Sequence, residues 1–294
     1  MRRAVFLLLC AFSVFAISAS AQDYPARAIR IIVPFPPSGS TDILGRLVAE
    51  ILSRDLGQSF LVVNVGGAGG TIGALQAIKS PADGYTLFMG TPSTIINNPS
   101  INPKIGYDPL KDFTYICGLS GYTMGIVTRS TSPWQKLDDL LAAGKKEPEK
   151  YNYGTSGVGG TGQLMMIEVE QSTGARFTHV PYKGNAQAVT DLLSGRIQLL
   201  FASGVTATPH LKSGKLKYIA ISGGKRSAAF PDIPTVAEAG LPGYEVTNAY
   251  FLYVPAGTPA AVGNLLNKEH TDSVNSAEVR AKLAPDSIDP GERQ

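Results

Sequence analysis

Hydrophobic positions along this chain switch repeatedly between a strand-like run and a helical spacing, and that switching sets out the architecture. Residues 29–34 (IRIIVP) form a short β-branched run closed by proline, which predicts a buried strand. Ile43, Leu44, Leu47, Val48, Ile51 and Leu52 then recur at helical spacing until Gly57, with Ser38, Ser40, Thr41 and Asp42 available as N-caps. The pattern continues with a strand over 60–65, a glycine turn over 66–70, a helix over 71–80 and a strand over 85–89. Such a βαβαβ order predicts a doubly wound α/β layer whose ligand crevice lies at the carboxyl ends of its strands.

A less regular, proline-bearing stretch over 91–112 leads into residues 113–127, where the chain is expected to cross to a second lobe. There the logic repeats: a helix over 136–143, a strand over 151–154, a glycine loop over 154–162 and a helix over 163–173. Strands over 177–181, 197–201 and 218–222 follow, separated by helices over 186–193 and 209–213. The organisation expected is a first lobe over 22–121, a second over 122–246, and a return to the first over 247–294.

The N-terminus fixes the expected compartment. Met1-Arg2-Arg3 is a positive start, residues 4–17 are almost wholly apolar, and Ala19-Ser20-Ala21 is a small-x-small site, so residues 1–21 read as a signal peptide cleaved after Ala21. The apolar run is shorter than the roughly 20 residues of a membrane span. Export to the periplasm follows as the expectation.

Composition then removes function classes. The formal charge of +3 falls to +1 once Arg2 and Arg3 leave, and no basic cluster with interleaved aromatics recruits nucleic acid. Cys117 is the single cysteine beyond the signal, which leaves no internal disulfide. His179, His210 and His270 are scattered, so no metal site and no cofactor is expected. Gly157, Gly159 and Gly162 match the spacing of a dinucleotide loop, yet the next strand leads to Lys183 and not to the acid that would hold a ribose. A serine hydrolase built on Ser156 and His179 lacks the second glycine of a nucleophile elbow.

Two loops carry the positive evidence. Residues 35–42 and 155–162 each follow a strand, are rich in Gly, Ser and Thr, and open directly into a helix. Free backbone N–H groups at a helix start, backed by the positive end of its dipole, bind a carboxylate or phosphate without a cationic side chain. The hydroxyls of Ser38, Ser40, Thr41, Thr155, Ser156 and Thr161 are further donors. One such loop in each lobe points to an anion held between them.

The motifs YPARAIRIIVPFPPSGSTD, GGAGGTIGALQAIKSPADGYTL, YDPLKDFTYI, YNYGTSGVGG, HVPYKGNAQAVTDLLSGRIQLLF, PHLKSGKLKYIAIS and FPDIPTVAEAGLPGYE occur in order along nearly the whole mature chain. In these the sequence resembles the substrate-binding components of tripartite tricarboxylate transporters, the Bug receptors. The resemblance implies a type II periplasmic-binding-protein fold, a small organic carboxylate as ligand and membrane permease subunits as partners. It also implies a non-enzymatic, monomeric receptor; presentation of the ligand to a membrane sensor is the alternative. Carried over by motif, the ligand-binding residues are Ser38, Gly39, Ser40, Thr41 and Asp42 in one lobe, and Thr155, Ser156, Gly157, Val158 and Gly159 in the other. Thr91 and Ser203 are expected to join them.

Three departures from the family pattern matter. Ser38-Gly39 replaces a Gly-Gly pair, and Ala202-Ser203 replaces the Asp-Asn that many members carry, which argues against an amino group on the ligand. After Leu283 the family continues into a final helix, whereas here the sequence runs to SIDPGERQ, implying a shortened C-terminus and reduced stability.

Overall fold

The computed structural model describes residues 24–274, 276–284 and 288–290. The expected signal peptide and most of the tail after Leu283 lie outside the described residues.

Strand β1 (Ile29–Val33) pairs in parallel with β2 (Phe60–Asn64) on one side and β3 (Thr86–Gly90) on the other. Its β-branched residues split between two cores, as the two-residue period of a strand requires. Ile29, Ile31 and Val33 pack on helix α1 (Ser40–Leu56), while Ile32 faces Ala74 and Ala77 of α2 (Thr71–Ile78). Leu44, Val48, Ile51 and Leu52 form the buried stripe of α1, each contributing about 1.5–3 kcal/mol by leaving water. Gly57 ends the helix in the left-handed conformation that glycine adopts without a Cβ clash.

The irregular stretch contains a π-helical turn (Ser93–Asn97) and two one-turn helices, α3 (Asn98–Ile101) and α4 (Pro109–Asp112). Strand β4 (Phe113–Tyr122) ends the first passage through this lobe, and β5 (Met124–Arg129) opens the second lobe with only Thr123 between them.

The second lobe contains α5 (Leu137–Lys146), β6 (Asn152–Thr155), α6 (Thr161–Thr173), β7 (Thr178–Pro181), α7 (Asn185–Ser194), β8 (Leu199–Ser203), α8 (Gly204–Lys212) and β9 (Leu216–Ile221). The expected helix over 209–213 in fact begins at Gly204. Proline favours a helix start, which draws the expected boundary to Pro209; here it sits inside α8, and the preceding Val205, Thr206, Ala207 and Thr208 are buried along the helix.

Segment 222–247 returns the chain to the first lobe as β10 (Asn248–Pro255), followed by α9 (Ala260–Val274), α10 (Ala277–Leu283) and the short β11 (Ile288–Pro290). Val262 and Leu266 of α9 and Val279 and Leu283 of α10 complete the α1-side core.

Both sheets have one plan. The strand orders are β11-β4-β10-β3-β1-β2 and β7-β6-β8-β5-β9. In each, the strand arriving from the other lobe is inserted antiparallel between its neighbours, β10 between β3 and β4, β5 between β8 and β9. This is the two-lobed architecture of periplasmic binding proteins. Ser222 ties the two crossings together, donating its backbone N–H to Met124 O at 2.8 Å and its hydroxyl to Val246 O at 2.8 Å.

Candidate functional site

A cavity of about 230 Å³ lies between the lobes, lined by Phe35, Pro36, Pro37, Gly39, Ser40, Thr41, Thr91, Ser93 and Tyr122 from the first lobe. Met124, Ser156, Thr161, Gly162, Gly184, Asn185, Ala186, Gln187 and Ser203 line it from the second. Among the described residues, no charged side chain contributes to this lining.

Four helices begin at this cavity. α1 starts after Gly39, α6 after Gly160, α7 after Gly184 and α8 after Ser203. All four N-cap residues have extended backbone angles, and none of their side chains accepts a bond from the first turn. Elsewhere the usual device operates: Asp108 caps α4 and Ser276 caps α10 through side-chain oxygens. At these helix starts no cap side chain takes the first-turn N–H groups, although Ser93 takes that of Thr161, and the positive ends of the four dipoles make a setting that favours a bound anion.

Of the residues singled out in the sequence, Gly39, Ser40, Thr41, Thr91, Ser156 and Ser203 line the cavity, and the other six do not. Asp42 is buried, and accepts from the Ser38 amide at 2.9 Å and Asn64 Nδ2 at 2.9 Å while pairing with Arg46 at 2.9 Å. Burial raises its carboxyl, but the bonds from Arg46, Ser38 and Asn64 and the Arg46 charge outweigh this and hold it below the usual range. It shapes the loop. Ser38 adopts φ +67, which turns the chain into the helix start.

Thr155 is buried with its hydroxyl 3.0 Å from Gly157 O and 2.7 Å from His179 Nε2. Gly157 and Val158 line a separate groove between the lobes, with Lys183. The Gly159 amide donates to Gln163 Oε1 at 2.7 Å.

The hydrolase arrangement is not assembled. His179 stacks on Tyr153 with centroids 4.9 Å apart and engages Thr155, not Ser156, and burial lowers its pKa from the ordinary imidazole value. Among the described residues, no group of three His, Cys, Asp or Glu could hold a metal ion.

The start of α7, Gly184 to Gln187, joins the cavity without being singled out by the sequence. Its signal is the same one that identifies the other two loops, a strand followed by a glycine and a helix, but Lys183 and Asn185 lack the hydroxyls that draw attention elsewhere. Tyr122 and Met124 escape a sequence reading because they flank the crossing, which only the tertiary structure brings to the cavity.

The lobes meet around the cavity. The Thr161 amide donates to Ser93 Oγ at 3.3 Å, and Asn97 Nδ2 donates to Thr161 Oγ1 at 3.2 Å. A Cβ on Gly184 would lie 3.1 Å from Pro36 Cδ, and one on Gly157 would lie 3.3 Å from Gly69 Cα.

Two sheets of one plan, joined by paired crossings and closed over an uncharged cavity ringed by helix starts, define a solute-binding receptor of the periplasmic type. Residues 44–294 match the family model of the tripartite tricarboxylate transporter family receptor. Protein BugT of Bordetella pertussis (strain Tohama I) is 34% identical over 288 residues, spanning 98% of this chain and 88% of the relative. The structure of R. palustris Rpa4515 with adipate superposes with a TM-score of 0.90 at 34% identity, covering 92% of this chain and 91% of the other. MatC (Rpa3494) from Rhodopseudomonas palustris with bound malate gives 0.85 at 29% identity, covering 90% of each chain. The chain belongs to the tripartite tricarboxylate transporter receptor family, whose members are solute-binding receptors and not enzymes.

Proposed function

We propose that this receptor captures a small organic carboxylate in the periplasm, after cleavage following Ala21, and delivers it to the membrane subunits of a tripartite tricarboxylate-type transporter. The observation that carries this reading is the convergence of four helix starts without side-chain caps on one cavity with no charged lining. Backbone donors of this kind satisfy a carboxylate without burying a lysine or arginine. The adipate and malate seen in two solved relatives support the same ligand chemistry.

The twelve residues singled out in the sequence divide into two roles. Gly39, Ser40, Thr41, Thr91, Ser156 and Ser203 would contact the ligand, whereas Ser38, Asp42, Thr155, Gly157, Val158 and Gly159 would shape the loops that present it. An α-amino group finds no carboxylate in the cavity lining, so its ammonium would be desolvated without a charged partner. The test is a thermal-shift and calorimetric screen of the purified mature chain. Mono- and dicarboxylates should raise the melting temperature, and aspartate and glutamate should not; tight binding of either amino acid overturns the exclusion, and silence towards all carboxylates overturns the reading.

A further inference from the structure

Beneath the cavity, the strands that carry the chain between lobes hold buried polar groups without hydrogen bonds: Ser120 Oγ, Oδ1 and Nδ2 of Asn248, and Tyr250 Oη. They are neighbours in the β4–β10 ladder, where Asn248 pairs with Tyr122 and Tyr250 with Ser120. The ring of Tyr250 stacks on Tyr122 with centroids 4.3 Å apart and planes at 16°. Tyr250 itself is 0% exposed. A buried hydroxyl without a partner is destabilising, and such groups are few in folded proteins, so this one requires a reason.

Its surroundings supply the reason. The hydroxyls of Ser40, Thr41, Tyr122 and Ser203 surround Tyr250 Oη, and all four residues line the cavity. Ser40 and Thr41 open α1 in the first lobe, whereas Ser203 ends β8 in the second. A serine hydroxyl has one proton and two lone pairs. To give that proton to a ligand it must be supplied with a donor from behind, or its proton turns inward to an acceptor instead.

We propose that Tyr250 is a positioning residue of the ligand site: its hydroxyl donates its one proton to the Ser40 hydroxyl from beneath, turning the Ser40 proton toward a carboxylate bound in the cavity. The inference rests on the receptor reading given above. A seated carboxylate draws the Ser40 proton outward and leaves its lone pair free to accept, so the bond from Tyr250 Oη is made when ligand binds. Burial pushes the Tyr250 phenol up to about 12, which keeps it a donor throughout the working range of pH.

Tyr250→Phe tests this, because it keeps the ring and its stacking and removes only the hydroxyl. The melting temperature of the unliganded variant is compared with wild type, and affinities are measured by calorimetry for a panel of linear mono- and dicarboxylates including adipate and malate. The expected result is an unliganded melting temperature equal to or above wild type, with affinity roughly ten-fold weaker for the acids that bind. In a Ser40→Ala background the same change should cost much less, the non-additivity of two groups acting through one bond. An affinity within about two-fold of wild type, or full additivity with Ser40→Ala, overturns the proposal. So does a lower unliganded melting temperature, which would show that the hydroxyl has a structural partner. If the wild-type chain binds no carboxylate, the receptor reading fails instead, and the unliganded melt still decides whether the hydroxyl is unpartnered.

Discussion

The Thr161 amide at the start of α6 donates to Ser93 Oγ across the cleft at 3.3 Å. The hydroxyl of the same threonine accepts from Asn97 Nδ2 at 3.2 Å. One residue of the second lobe is therefore held twice by the first, at the edge of the cavity that both Ser93 and Thr161 line.

These two bonds exist only when the lobes are closed, so they favour the closed state without touching the fold of either lobe. Asn97→Ala should shift the lobes toward the open form and weaken ligand binding by about 0.5–1.5 kcal/mol, the net value of one such bond. Calorimetry measures the affinity, and small-angle scattering of the unliganded variant should give a larger radius of gyration. Equal affinity and unchanged scattering would show that the contact is incidental.

The architecture is legible in the sequence where pattern alone decides it. The run Ile29, Ile31, Ile32 and Val33 is apolar on both faces because β1 is central and covered by α1 and α2, and a short run closed by proline reads as such a strand. The two glycine loops are legible because an uncapped helix start leaves a local signature. Which atoms face inward is not. Asp42 sits among candidate donors in sequence, yet its carboxylate is consumed by Arg46, Asn64 and the Ser38 amide. Gly159 belongs to the right loop, but a Cβ there would lie 2.5 Å from Ile101 Cδ1, which places it at the seam between lobes. Tyr250 carries no local signal, because its neighbours come from elements distant in the chain.

Ser38 adopts a left-handed φ of +67 without lining the cavity. An L-residue pays roughly 1–2 kcal/mol for that conformation, and glycine escapes most of it while losing some entropy on folding. Ser38→Gly should therefore stabilise the chain by up to about 1 kcal/mol, a rise of about 2–4 °C in melting temperature. Ligand affinity should be unchanged, since the Ser38 contact to Asp42 is made by the backbone. A lower melting temperature would mean the serine hydroxyl contributes more than the strain costs.

Asp42 links the same loop to acid stability. Its carboxyl is held below its ordinary value of 3.8, so the stability it confers is fully present above that value and is lost as pH falls through the depressed folded value. Asp42→Asn should cost about 1.5–3 kcal/mol at neutral pH, the value of hydrogen bonds to a charged group. The difference in melting temperature between wild type and variant should shrink in strong acid. A constant gap at every pH would show that the charge is not what holds the loop.

His270 places a second acid response in a different window. It lies one turn after Leu266 on α9, is 1% exposed, and has no hydrogen bond to either ring nitrogen. Burial lowers its pKa from 6.5 to about 4, so the folded chain holds it neutral while the unfolded chain protonates it. Stability is thus full above 6.5, declines as pH falls from there, and has lost the whole contribution once pH passes through about 4. The loss is on the order of 3 kcal/mol, because a tenfold change in proton affinity corresponds to about 1.4 kcal/mol. His270→Met should remove this slope and, by eliminating two unpartnered buried nitrogens, raise stability at neutral pH by about 1 kcal/mol. Urea denaturation at pH values either side of that window measures both effects. A variant whose stability declines between them as steeply as wild type would assign the acid response to other groups.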